Sequence, residues 1–356
     1  MFENIERIPM PPVDVFFREY VLEHRPVIIT DLFADQPISK IRTLEDARSQ
    51  LGDMKVVVTP GYERFIVDVV RSLVTHEGNY EIQQRQSTVR EYLAHVAQHP
   101  ETKDMCSEVP QPIISEVQAL YEPPPYCRTK DGALDDDYRT ELWMANAGNT
   151  THLHFDADQR QILQYQLFGT KRVILIPPSG AKKLAPVRNN CAISPEGVSD
   201  AEKDEFVRYV GGYQCELRGG ETIFMPALIW HFLEYVDTSM SLSIRFWRNP
   251  YSRFLAEACH PDYRLQAIAW RMIDPAAMTP DDTRAFQQIE ELVQRPSASP
   301  REKGQEMQAL YEELYARLCS DQPRGQYARP FIDELAGVIQ QVEFDMGPYS
   351  RQAAGA

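Results

Sequence analysis

Between residues 141 and 249 the chain is written in short runs of strand-forming residues, each closed by turn residues. The runs are 141–145, 151–155, 162–168, 172–176, 213–217, 222–225, 231–235 and 239–247, and Gly169-Thr170, Pro177-Pro178, Gly219-Gly220 and Asp237-Thr238 punctuate them. Strands of four to nine residues, with no alternation of strand and helix, exclude a parallel βαβ sheet. They predict a sandwich or a small barrel.

The flanks have a different texture. Upstream, Arg25–Thr30 and Met54–Thr59 read as buried strands. Thr43 with Asp46 three residues on suits a helix start, and Gly52 suits its end. Residues 87–97 are amphipathic, with apolar positions at 89, 93, 96 and 97, and residues 120–137 read as loop. Beyond Pro250 the period becomes helical, over 254–269, 283–293, 301–318 and 331–342, with 296–300 as a linker. The expected class is mainly β with flanking helices (α+β). It divides into a domain over 1–250 with an α/β lead-in and a helical region over 251–356.

Composition narrows the partners. Acidic residues outnumber basic ones 52 to 37, for a net charge of −15, so nucleic acid and anionic membranes are disfavoured. The first residues, Met1-Phe-Glu-Asn-Ile-Glu-Arg, carry no basic segment followed by an apolar one, and no apolar run is long enough for a membrane helix. The six cysteines include no CxxC pair. A soluble, cytoplasmic chain with reduced thiols is expected.

The chemistry lies in Thr150-Thr-His-Leu-His-Phe-Asp156. Side chains two apart on a strand share a face, so His154 and Asp156 can reach one ion together. A second histidine, His231, follows seventy-five residues after Asp156, at the end of Gly219-Gly-Glu-Thr-Ile-Phe-Met-Pro-Ala-Leu-Ile-Trp-His. Two imidazoles and one carboxylate form the facial triad of non-haem Fe(II) sites. The spacing leaves two questions open. His152 shares the face of His154, and His231 is equally readable as a core histidine. Trp143, Trp230 and Phe155 read as core or pocket wall.

Taken together, four segments resemble the JmjC/cupin-like 2-oxoglutarate- and Fe(II)-dependent oxygenases, and in particular the small asparaginyl-hydroxylase-like JmjC hydroxylases. They are Thr151-His-Leu-His-Phe-Asp156, Gly169-Thr-Lys-Arg-Val-Ile-Leu-Ile-Pro-Pro178, Gly219–His231 and Ser243-Ile-Arg-Phe-Trp247. Arg25-Pro-Val-Ile-Ile-Thr is similar to an N-terminal segment of the same family, so the resemblance covers most of 15–250.

The resemblance implies a double-stranded β-helix (cupin or jelly-roll) core with Fe(II) held by His154, Asp156 and His231. Lys171 and Thr151 would bind the distal carboxylate of the co-substrate 2-oxoglutarate. Read without the family, Lys171 is a solvated hairpin lysine and Thr151 an ordinary strand residue. Two departures concern the C1 end of 2-oxoglutarate. Ile162 and Arg245 stand where the family carries asparagine, with Arg160 or Gln161 as substitute contacts. Arg245 suits the C1 carboxylate, Asp156, the substrate, or a plain rim salt bridge.

The implied activity is hydroxylation of a C–H bond on an amino-acid side chain, in a protein, a peptide or a small molecule, with succinate and CO2 as co-products. The alternatives are a tRNA-base hydroxylase, which the charge disfavours, a catalytically inactive cupin-fold binding module, and a metal-dependent cupin without 2-oxoglutarate. The resemblance also implies that the C-terminal helices form a homodimer. Leu310, Tyr311, Leu314, Tyr315 and Leu318 make an apolar stripe that suits either that interface or an intramolecular core.

Overall fold

The computed structural model of the chain describes residues 2–60, 84–108, 116–136, 138–156, 160–177, 195–227 and 229–248. Single positions or pairs at 180, 183–184, 186–187, 190–191, 280, 281, 284 and 288 are also described. Those last four positions are helical. The rest of the predicted helical region over 251–356, with its stripe from Leu310 to Leu318, lies outside the described residues.

The lead-in supplies β1 (Arg7–Ile8), α1 (Val13–Phe16), β2 (Val27–Ile29), α2 (Leu44–Leu51), β3 (Lys55–Thr59), β4 (Arg85–Thr88), α3 (Val89–Gln98) and β5 (Met105–Glu108). Then follow β6 (Arg139–Ala145), β7 (Thr150–His154), β8 (Arg160–Phe168), β9 (Thr170–Ile176), β10 (Pro186–Val187) and β11 (Asn190–Cys191). The helix α4 (Asp200–Val210) precedes β12 (Tyr213–Arg218), β13 (Thr222–Met225), β14 (Trp230–Tyr235) and β15 (Ser239–Arg248).

Among the described residues these strands form two sheets. The larger runs β1-β2-β13-β8-β15-β6-β5-β3-β4 and the smaller runs β10-β11-β7-β14-β9-β12. The eight runs predicted over 141–249 are the quartets β13-β8-β15-β6 and β7-β14-β9-β12. All neighbours within each quartet pair antiparallel. Ile162, Ile223 and Met225 from one quartet pack with Val173, Leu175, Cys215, Leu217 and Leu233 from the other. The chain thus alternates between two facing sheets, as a double-stranded β-helix does.

The outer face of the larger sheet is not wet. Leu163, Tyr165 and Leu167 of β8, Leu242, Ile244 and Phe246 of β15, and Leu142 and Met144 of β6 pack under Phe16, Phe17, Tyr92 and Tyr126 of the lead-in. The Phe16 and Tyr126 rings stack with centroids 4.0 Å apart. Because these apolar positions of β8 face outward, the intervening Gln164 and Gln166 are buried on the other side. An alternation that elsewhere marks a solvated face here marks a polar barrel interior.

Local chemistry accounts for the helices. Asp46 N–H donates to the Thr43 hydroxyl at the start of α2. Thr88 and Glu91 form a reciprocal capping box on α3. Its buried face carries Val89, Tyr92, Leu93 and Val96, so Tyr92 takes the place expected for Ala97, which is exposed. The acidic stretch Asp200–Asp204 is helical. It is the first turn of α4, capped by Ser199 and Glu202 and anchored through buried Phe206, Val207 and Val210. Acidic residues there meet the positive end of the helix dipole.

One glycine sets the register around the site. Gly169, between β8 and β9, has φ of +72°, and a Cβ there would overlap Ser239 Cβ and Asp237 Oδ1. The Thr170 N–H donates to Asp237 Oδ1 at 2.7 Å. The hairpin is therefore clamped to the turn before β15, and Lys171 enters the barrel next.

Candidate metal centre

β7 and β14 pair so that His154 stands opposite His231. Residues directly opposite in a sheet share a face, so both imidazoles enter the same space. Asp156, two residues past His154, follows onto that face just beyond the strand end. One ligand atom from each of His154, Asp156 and His231 lies within 4.8 Å of the other two. Asp156 Oδ1 is 3.5 Å from His154 Nε2 and 3.7 Å from His231 Nε2.

The other atoms of these side chains are already engaged. His154 Nδ1–H donates to the His152 carbonyl at 2.8 Å, and His231 Nδ1–H donates to the Ile229 carbonyl at 3.2 Å. A carbonyl only accepts, so each Nδ1 carries a proton and each Nε2 is the ring nitrogen left to face the centre. Asp156 Oδ2 lies 3.1 Å from Arg245 Nη2, whose guanidinium also lies 3.9 Å from Glu141. One carboxylate oxygen thus faces the histidines and the other faces an arginine.

Burial alone would raise the Asp156 carboxyl, but the Arg245 guanidinium, His154 and His231 hold it well below the usual carboxylate range. Burial, then the neighbouring His154, pushes His231 down from 6.5 to about 4. Near neutral pH the centre therefore offers a carboxylate and a neutral His231. Two imidazole nitrogens and one carboxylate oxygen are the donor set that suits Fe(II).

A second feature shares this inner face. Along β14 and β9 the pairs His231–Leu175, Leu233–Val173 and Tyr235–Lys171 run down one side of the sheet. Lys171 is fully buried, and burial pushes its ammonium down from 10.5 to about 7. Its Nζ donates to Ser241 Oγ at 2.6 Å and sits 4.2 Å from the centroid of the Tyr235 ring. Among the described residues no carboxylate compensates it. A buried ammonium without a fixed counter-charge is costly, and an anion beside it would offset that cost.

The structure assigns places to the other predicted residues. Thr151 pairs with Leu233 across a register shift, and its hydroxyl receives the Leu233 N–H at 3.2 Å and donates to the Leu233 carbonyl at 3.4 Å. Ile162 lies opposite Arg245 in the apolar part of the interior. Arg160 begins β8, opposite Arg248 in register. Gln161 is turned away, with its amide oxygen taken by the Ala227 N–H at 3.0 Å. His152 stacks on His154 with centroids 4.8 Å apart and lies outside the cluster. Trp143 packs beside Met105, Ala145 and Tyr235, and Phe155 meets Trp230 edge to face, so all three residues read as core or pocket wall make packing contacts.

Ser241, Gln164 and Tyr235 escaped the sequence reading. The signal for Gln164 was its alternation with Leu163 and Tyr165, which does not say which face is wet.

A double-stranded β-helix that presents two histidines and a carboxylate from its smaller sheet, with a buried lysine further along the same face, is a mononuclear metalloprotein of the cupin type. The sequence profile of the cupin-like domain family matches residues 12–253. The chain belongs to this family, among the JmjC/cupin-like oxygenases that use Fe(II) and 2-oxoglutarate. It is 27% identical over 250 residues to lysine-specific demethylase JMJ30 of Arabidopsis thaliana, covering 69% of this chain and 54% of that protein. It is 23% identical over 258 residues to JmjC domain-containing protein D of Dictyostelium discoideum, covering 67% of this chain and 55% of that protein. It is also 24% identical over 274 residues to the human bifunctional peptidase and (3S)-lysyl hydroxylase JMJD7, covering 67% and 81%. The chain thus spans about half the length of the first two relatives.

Proposed function

We propose that this protein is a hydroxylase that oxidises a C–H bond of an amino-acid side chain in a protein, peptide or small molecule. The observation that carries the reading is the pairing, on one inner face, of an iron-type donor set with a buried lysine that lacks a counter-anion. A metal-binding cupin without an anionic co-substrate has no use for that lysine. Lys171 lies four positions along β9 from Leu175, the residue opposite His231, on the order of 13 Å along the strand. A lysine arm and a short dicarboxylate together suit a gap of that length.

In this reading His154, Asp156 and His231 would hold Fe(II), and Lys171 would hold one carboxylate of 2-oxoglutarate. The bound iron would supply the oxygen chemistry, in which 2-oxoglutarate becomes succinate and CO2 and one oxygen atom enters the substrate. The protein's own contribution is orientation. The backbone carbonyls of His152 and Ile229 fix the two imidazoles, and Arg245 turns Asp156 so that one oxygen faces them. The apolar wall of Ile162, Val173, Leu175 and Leu233 keeps water from the interior.

Two of the relatives act, by their names, on lysine, and the net charge of −15 suits a basic substrate. The test is incubation with Fe(II), 2-oxoglutarate and lysine-rich peptides in air, measuring succinate and peptide mass. Succinate formation coupled to the gain of one oxygen atom is the expected result. Loss of a methyl group with release of formaldehyde would identify a demethylase instead. Absence of succinate with every peptide and with free amino acids would overturn the proposal.

A further inference from the structure

Ser241 lies at the centre of the buried polar cluster, and its oxygen receives two donors. Lys171 Nζ donates to Ser241 Oγ at 2.6 Å, and Gln164 Nε2 donates to the same oxygen at 3.0 Å. A serine hydroxyl has two lone pairs and one hydrogen. Both lone pairs are taken, so the hydrogen points away from Lys171 and Gln164. Ser241 is fully buried, and among the described residues no acceptor receives that hydrogen.

The ammonium beside it is in the same position. One Lys171 N–H goes to Ser241 and the charge rests against the Tyr235 ring, which leaves donor capacity with no anion to receive it. Two spare donors, one of them charged, lie side by side in a buried interior. The ligand they suit has two acceptor oxygens and a negative charge, which is a carboxylate. Thr151 is placed differently, because its hydroxyl already donates to the Leu233 carbonyl and accepts from the Leu233 N–H, closing the irregularity between β7 and β14.

We propose that Ser241 is a co-substrate-binding residue, its hydroxyl donating alongside Lys171 to the distal carboxylate of 2-oxoglutarate, with Gln164 positioning it by filling the second lone pair. This rests on the reading of the protein as a 2-oxoglutarate-dependent enzyme. It adds that Ser241 contributes to selecting dicarboxylic over monocarboxylic 2-oxo acids.

The experiment is a calorimetric titration of the Mn(II)-loaded protein with 2-oxoglutarate and, separately, with 2-oxopentanoate, which keeps the 2-oxo acid head and lacks the distal carboxylate. Ser241→Ala is expected to weaken 2-oxoglutarate binding about tenfold, equivalent to about 1.4 kcal/mol, and to leave 2-oxopentanoate unchanged. Ser241→Thr, which restores the hydroxyl, is expected to recover most of the loss. Unchanged 2-oxoglutarate affinity in Ser241→Ala overturns the proposal, as does an equal loss for both ligands, which would mark Ser241 as structural only. A wild-type protein that binds no 2-oxoglutarate overturns the functional reading and this inference with it.

Discussion

Replacing Lys171 with methionine should make the metal-free, co-substrate-free protein more stable while removing its anion site. The lysine is fully buried and its ammonium titrates near 7 in the folded chain, against 10.5 for an ordinary lysine. The sign follows from proton counts. Between those values the unfolded chain keeps the proton that the folded chain has lost, so stability rises with pH across the window. Below about 7 the whole penalty is present, and above about 10.5 it is gone. A difference of about 3.5 units at 1.36 kcal/mol each is about 5 kcal/mol, of which about 4 remains at pH 7. Methionine keeps the apolar stem, loses the bond to Ser241 and carries no charge, so Lys171→Met is expected to gain a few kcal/mol at pH 7. The assay is urea denaturation in EDTA at several pH values, comparing variant with wild type so that other titrating groups cancel. The gain should shrink steadily towards about pH 10. A variant of equal or lower stability at pH 7 would refute the reasoning. So would a difference independent of pH. In the wild type, 2-oxoglutarate should restore the ammonium, so binding at about pH 8 should take up a proton, seen as a dependence of the binding heat on the buffer.

Three further outcomes are expected. Asp156→Asn should lower Mn(II) affinity by on the order of 100-fold or more, because it removes the only carboxylate of the donor set, and an electron paramagnetic resonance titration reads the free ion directly. Arg245→Gln should destabilise the metal-free protein by about 2 kcal/mol, since it strands the mostly buried Asp156, and comparison of urea midpoints with wild type checks this. Gly169→Ala should cost at least about 2 kcal/mol, because its φ of +72° and the overlap with Ser239 and Asp237 leave no room for a methyl group. Thermal unfolding measures that loss, and a near-neutral effect would mean that the clamp on the Lys171 hairpin is looser than its contacts indicate.

Much of the molecule is legible from local chemistry. Turn residues such as Gly169-Thr170 and Gly219-Gly220 bound strands whose apolar runs have no competing helical period, so all eight core strands fall within about two residues of the predicted runs. Thr43, Thr88 and Ser199 cap helices because a side-chain oxygen three residues before a backbone N–H is a local geometry. The helix at Asp200–Val210 was less readable, since a dense acidic run looks solvated until Phe206 and Val207 are seen to pack.

At the centre, spacing alone placed His154 and Asp156 together, because a strand turns every second side chain to one face. Which of His152 and His154 meets His231 was a tertiary decision. His154 rather than His152 stands opposite His231, and that register belongs to the pairing of β7 with β14. The same holds for the charges. Arg245, with several readings open, is turned onto Asp156, and Lys171, a hairpin lysine by its neighbours in sequence, is carried into the barrel. Alternation in a strand separates two faces without naming the inner one. Only the lead-in packed over Leu163, Tyr165 and Leu167 made the outer face dry, leaving Gln164, Ser241 and Lys171 to form a polar interior.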